Sequence, residues 1–128
     1  MPIATRNDAI DLEANTRNYV QLIATTQEDV DILVFPEHTL NRIQTAAEIP
    51  NSKDLISPCG DERWTPLVQD ISCATQKAHR YAVVNMVTQR NCTEEKLETH
   101  DTRPCSHEDV NYYNTVVVFD RDGTVIGT

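Results

Sequence analysis

A chain of 128 residues with formal charge −9 and pI near 4.7 argues against nucleic acid or an anionic membrane as partner, since both demand clustered Lys and Arg. Hydrophobic residues make up 39% and mean hydropathy is −0.47, so one domain, or part of one, is expected around a modest core. No apolar window reaches the length of a membrane span, and the first residues do not form the apolar region of a signal peptide.

From about Asn7 to Gln27 the spacing predicts a helix, with Ala9, Leu12, Tyr19, Leu22 and Ile23 near one stripe and Asn7 as cap. Val30-Asp31-Ile32-Leu33-Val34-Phe35 then forms an apolar, β-branched run that stops at Pro36. Such a run reads as a strand buried on both faces. Proline cannot donate to a sheet ladder, so Glu37 falls just past the strand's C-terminal end, where open α/β sheets place ligands. A carboxylate partly shielded from water there can serve as a general base.

Residues 38–63 are polar and irregular, with Pro50, Pro58 and Gly60 as breakers. A second helix follows: Thr65 can cap it, Pro66 fits its first position, and Leu67, Ile71, Ala74 and Ala78 recur at helical spacing. Cys73 points about 130° from that stripe and is expected to reach outward to another cysteine. Trp64 is expected to close over the core rather than line a pocket with Glu62. Tyr81 to Val87 reads as a second buried strand, and Thr88 to Asn111 as a polar excursion. Tyr112 to Phe119 and Thr124 to Ile126 form two further strands, with Asp122-Gly123 as the hairpin signal. The order is α-β-loop-α-β-loop-β-β, a layered α/β fold.

Three dispersed glycines make no phosphate-cradling loop, and no G-x-S-x-G elbow is present. Cys59, Cys73, Cys92 and Cys105 are spaced too widely for a metal knuckle and are disulfide candidates. Joining Cys92 to Cys105 would clip a loop with little else to order it. Asn91-Cys92-Thr93 is a glycosylation acceptor pattern in that polar stretch, and with four cysteines it tilts the compartment toward the secretory pathway. His100 and His107 with Cys92 and Cys105 fit no zinc spacing, and Glu94-Glu95 with Glu108-Asp109 form no calcium loop, so no metal site is expected.

The segment from Asp31 to Glu37 resembles the nitrilase, or carbon–nitrogen hydrolase, superfamily, whose first catalytic residue is a Glu in this setting. Ile56-Ser57-Pro58-Cys59, Thr65-Pro66-Leu67-Val68-Gln69, Ile71-Ser72-Cys73-Ala74, the Cys92 and Cys105 loop and the run Tyr113 to Gly123 resemble its vanin and biotinidase branch. The resemblance implies an α-β-β-α sandwich of which residues 1–128 are the N-terminal part, truncated at both ends. It also implies a secreted or surface-anchored glycoprotein acting on linear amides of the pantetheine or biotinyl-amide type, without metal or organic cofactor. In that family a cysteine thiolate attacks the amide carbonyl, a glutamate carries the protons and a lysine holds the oxyanion. Glu37 matches the glutamate. Lys53, Lys77, Lys96 and the four cysteines stand in other contexts, so these residues alone are expected to show no turnover. His38 stands where the branch commonly has Asp. The alternative is a catalytically silent secreted interaction domain on the same scaffold.

Overall fold

A computed structural model describes residues 6–37 and 39–128, with side chains of the first helix from Asp11 onward. Three helices and a four-stranded mixed sheet follow in the order α1 (Arg6–Thr25), β1 (Ile32–Val34), α2 (Pro66–Ala78), β2 (Tyr81–Asn91), α3 (Cys92–Thr99), β3 (Val110–Phe119) and β4 (Val125–Gly127). The sheet order is β1-β2-β3-β4; β1 runs parallel to β2, and the other pairs are antiparallel. This is mixed α/β architecture consistent with part of a nitrilase-type domain.

The core lies between one face of the sheet and the α1–α2 layer. Tyr19 and Ile23 from α1, and Leu67, Val68, Ile71 and Ala74 from α2, meet Ala82, Val84, Met86, Val117, Phe119 and Val125. On α1 the expected stripe holds at Tyr19 and Ile23, whereas Leu22 is exposed and the helix ends two residues earlier than expected. Asn7 lies within the helix rather than before it, and its side chain and that of Ala9 lie outside the description. Pro66 opens α2 as expected, but Thr65 does not cap it: its hydroxyl accepts the Glu48 N–H at 2.8 Å instead.

β1 departs most from expectation. It is a three-residue strand at the edge of the sheet, and Ile32 and Val34 are 50% and 71% exposed. An apolar run shows that a strand is meant to be covered but not by what, and among the described residues no layer covers its outer face or outer edge. The same face carries Val83, Val116, Val118 and Ile126; Val116 and Ile126 are exposed, and Val83 and Val118 half-buried. Val117, by alternation, is fully buried against the helices.

The excursion expected from Thr88 to Asn111 is largely regular. β2 continues to Asn91, α3 follows at once, and β3 begins at Val110. Cys59 is bonded to Cys73 and Cys92 to Cys105, so no described cysteine is free. The first bridge ties the irregular segment to α2, and the second closes the loop after α3. The hairpin turn is built on Asp120, whose Oδ1 accepts the N–H groups of Asp122 and Thr124, both at 2.9 Å, with Gly123 at φ +76°.

Candidate active site

Glu37 follows Pro36 at the C-terminal end of β1, and the chain on either side of it is pinned. Before it, the Phe35 N–H donates to the Val83 carbonyl at 2.9 Å, and the Phe35 ring stacks on Tyr19 with centroids 4.1 Å apart. After it, Thr39 donates to the Pro36 carbonyl at 3.0 Å and bonds the Tyr19 hydroxyl. Burial of Tyr19 raises its phenol pKa above the usual 10.0, against the opposing effect of the Thr39 bond. Leu40 is buried, and its carbonyl accepts the Asn15 amide at 2.9 Å.

Asn41 completes the anchoring. Its Oδ1 accepts the Val87 N–H and its Nδ2 donates to the Val87 carbonyl, both at 2.8 Å, so a side chain takes a strand's place on β2. Ala47 continues this pairing, donating to the Val87 carbonyl at 2.9 Å and accepting from Gln89 at 2.8 Å. These bonds hold the turn bearing Glu37 against the middle of β2.

The carboxylate itself is reached from the sheet. Asn114 of β3 donates through Nδ2 to Glu37 Oε1 at 2.7 Å, and Asn85 of β2 donates to Asn114 Oδ1 at 2.8 Å. The relay Asn85 to Asn114 to Glu37 fixes the Asn114 amide so that its NH₂ faces the acid. A carboxylate so oriented can accept a proton from a group placed over the open face of the sheet. Sequence reasoning did not single out Asn41, Asn85 or Asn114. Asn is depleted in strands, so Asn85 inside an otherwise apolar run was the available signal.

Glu37 is exposed in this structure. It lines neither of two prominent cavities. One, of about 610 Å³, lies between α1 and α2 against Leu12, Val20, Leu67 and Ala74. The other, of about 650 Å³, lies beside α3 against Glu95, Lys96, Arg103 and Tyr112. His38 lies outside the described residues. Trp64 is half-buried, with its indole N–H enclosed. Among these residues Cys92, Cys105 and Asp109 come within 4.8 Å of one another, but the two sulfurs are bonded together and are not thiolate ligands.

Residues 1–128 match the carbon-nitrogen hydrolase family. The chain is 35% identical over 121 residues to vanin-like protein 2 of Drosophila melanogaster, covering 91% of this chain and 22% of that protein. It is 36% identical to vanin-like protein 1 of the same organism over 84% of this chain and 20% of that protein. With human biotinidase it shares 28% identity over 98% of this chain and 25% of the enzyme. The chain thus spans a quarter or less of the length of these relatives. On the match across its whole length and on these likenesses, the chain belongs to the carbon–nitrogen hydrolase family, within its vanin- and biotinidase-like branch.

Proposed function

We propose that this chain is the N-terminal part of a single amidohydrolase domain that cleaves linear amides of the pantetheine or biotinyl-amide type, with Glu37 as its proton-carrying carboxylate. The observation behind this reading is the Asn85–Asn114–Glu37 relay: two strand amides aim a carboxylate at the end of β1, in a chain of the carbon–nitrogen hydrolase family. In the proposed reaction a thiolate attacks the amide carbonyl while Glu37 holds the thiol's proton and passes it to the leaving amine. A water then attacks the resulting thioester, giving a proton back to Glu37. A cationic lysine would hold the oxyanion.

The thiol and that lysine are assigned to segments outside residues 1–128. Every described cysteine here is in a disulfide, so none supplies a thiolate. The same segments are assigned the task of covering the open sheet face and drying the surroundings of Glu37, which a base of this kind needs. The two disulfides are compatible with an oxidising compartment, and we place the protein outside the cell or on its surface. No helix among the described residues is long and apolar enough to cross a membrane.

The assay is direct. Purified residues 1–128 are offered pantetheine and biotinyl amides, and no turnover is expected. Turnover that disappears in Glu37→Ala would show that these residues hold a complete site and would overturn the assignment of the thiol elsewhere.

A further inference from the structure

One residue grips the whole acceptor triplet Asn91-Cys92-Thr93. Asp109 Oδ2 accepts the Asn91 Nδ2 amide at 3.1 Å, and its main-chain carbonyl accepts the Cys92 N–H at 2.9 Å. Its Oδ1 accepts both the Thr93 N–H at 3.1 Å and the Thr93 hydroxyl at 2.7 Å. The backbone of Asp109 sits at φ +56°, and the Cys92–Cys105 bridge closes the loop that brings it there. Asn91 Oδ1 meanwhile caps α3 by accepting the Glu94 N–H at 2.9 Å.

We infer that Asn91 carries an N-linked glycan that can be added only before Asp109 and the Cys92–Cys105 bridge close over the triplet. The inference is independent of the hydrolase reading and needs only entry into the secretory pathway. In the transfer, Asn91 Nδ2 attacks the anomeric carbon of a polyprenyl-diphosphate-linked oligosaccharide. The new N–C bond forms, the C–O bond to diphosphate breaks with its electron pair leaving on the diphosphate, and one of the two Nδ2 protons is lost and leaves with the diphosphate. In the closed loop, Nδ2 and the Thr93 hydroxyl are both committed to Asp109, so neither can be presented to a transferase. The finished glycan, however, is compatible with the fold. The substituted amide keeps its Oδ1 for the α3 cap and one N–H for Asp109, and Asn91 is exposed, leaving room for the sugar.

The test is synthesis of the whole protein behind a cleavable secretory leader into microsomes, with and without dithiothreitol, and measurement of Asn91 occupancy by glycosidase-sensitive mass shift and peptide mass spectrometry. Thr93→Ala is the control that abolishes the acceptor. Occupancy is expected to be partial under oxidising conditions and to rise about twofold or more when reductant holds the bridge open, or in Asp109→Ala or Cys105→Ser. Equal occupancy across these conditions and variants would overturn the ordering. No modification in any of them would overturn the site.

Discussion

Gly123 has no room for a methyl group. A Cβ there would lie 2.5 Å from the Ser72 carbonyl oxygen and 2.6 Å from its hydroxyl, and the residue sits at φ +76°. The close approach is used: the buried Ser72 hydroxyl donates to the Gly123 carbonyl at 2.6 Å, locking the β3–β4 turn onto α2. In the whole protein, Gly123→Ala is therefore expected to destabilise the fold by about 2 kcal/mol or more, read as a fall in the denaturant midpoint at unchanged slope. The turn itself was legible, because Asp-Gly between two apolar runs has few other uses. The position of Glu37 just past β1 was legible for a similar reason, since proline ends a strand at a definite place. The amides that orient it were not, because Asn114 meets Glu37 across 77 residues of sequence and strand register is set by packing.

At the scale of elements, α3 shows where periodicity stops being informative. Its one large apolar residue, Leu97, is 76% exposed, so no stripe marks the helix. Eight residues are too few to hold a helix by propensity. It is held instead by the Asn91 cap, by the Cys92–Cys105 bridge and by polar bonds from Glu95 to Asn111, Tyr113 and Arg90. α2, with a continuous stripe and proline at its first position, was readable except for its Thr65 cap, as was the outward turn of Cys73. β1 was read as a strand but misplaced to the interior, since a three-residue edge strand and a central one can share the same apolar letters.

Polar anchoring makes α3 sensitive to acid. Burial pushes the Glu95 carboxyl up, but bonds from Tyr113 and Asn111 and the charge of Arg90 outweigh this and hold it below its ordinary 4.5. The Thr93 hydroxyl leads the groups that hold Asp109 below 3.8. A carboxyl whose folded pKa is depressed stabilises the fold fully above its unfolded pKa, and that contribution is lost as pH falls through the folded value. Amide exchange in the whole protein should therefore show α3 losing protection as pH drops below about 4, while β2 and β3 keep theirs. Simultaneous loss in all three elements would contradict this.

At the scale of the molecule, the described residues cover one face of the sheet and leave the other bare. Ile32, Val34, Val116 and Ile126 form an apolar surface beside a β1 edge that is unpaired among the described residues, a combination that favours self-association. Residues 1–128 alone are expected to be poorly soluble or molten and to bind hydrophobic dyes. Val34→Lys with Val116→Lys should reduce both behaviours and leave the far-ultraviolet circular dichroism unchanged. A sharp cooperative melt of the monomeric, unsubstituted chain would count against this reading.

The same bare face is where the proposed chemistry takes place, since Asn85 and Asn114 project from it toward Glu37. The most direct measurement is amide hydrolysis by the whole protein with Glu37 replaced by Gln, which keeps the size and can still bond Asn114 but cannot take a proton. A fall in kcat/KM of about 10²–10⁴-fold, with an unchanged melting temperature, is the predicted result. Hydrolysis within a few-fold of the unsubstituted protein would contradict the account.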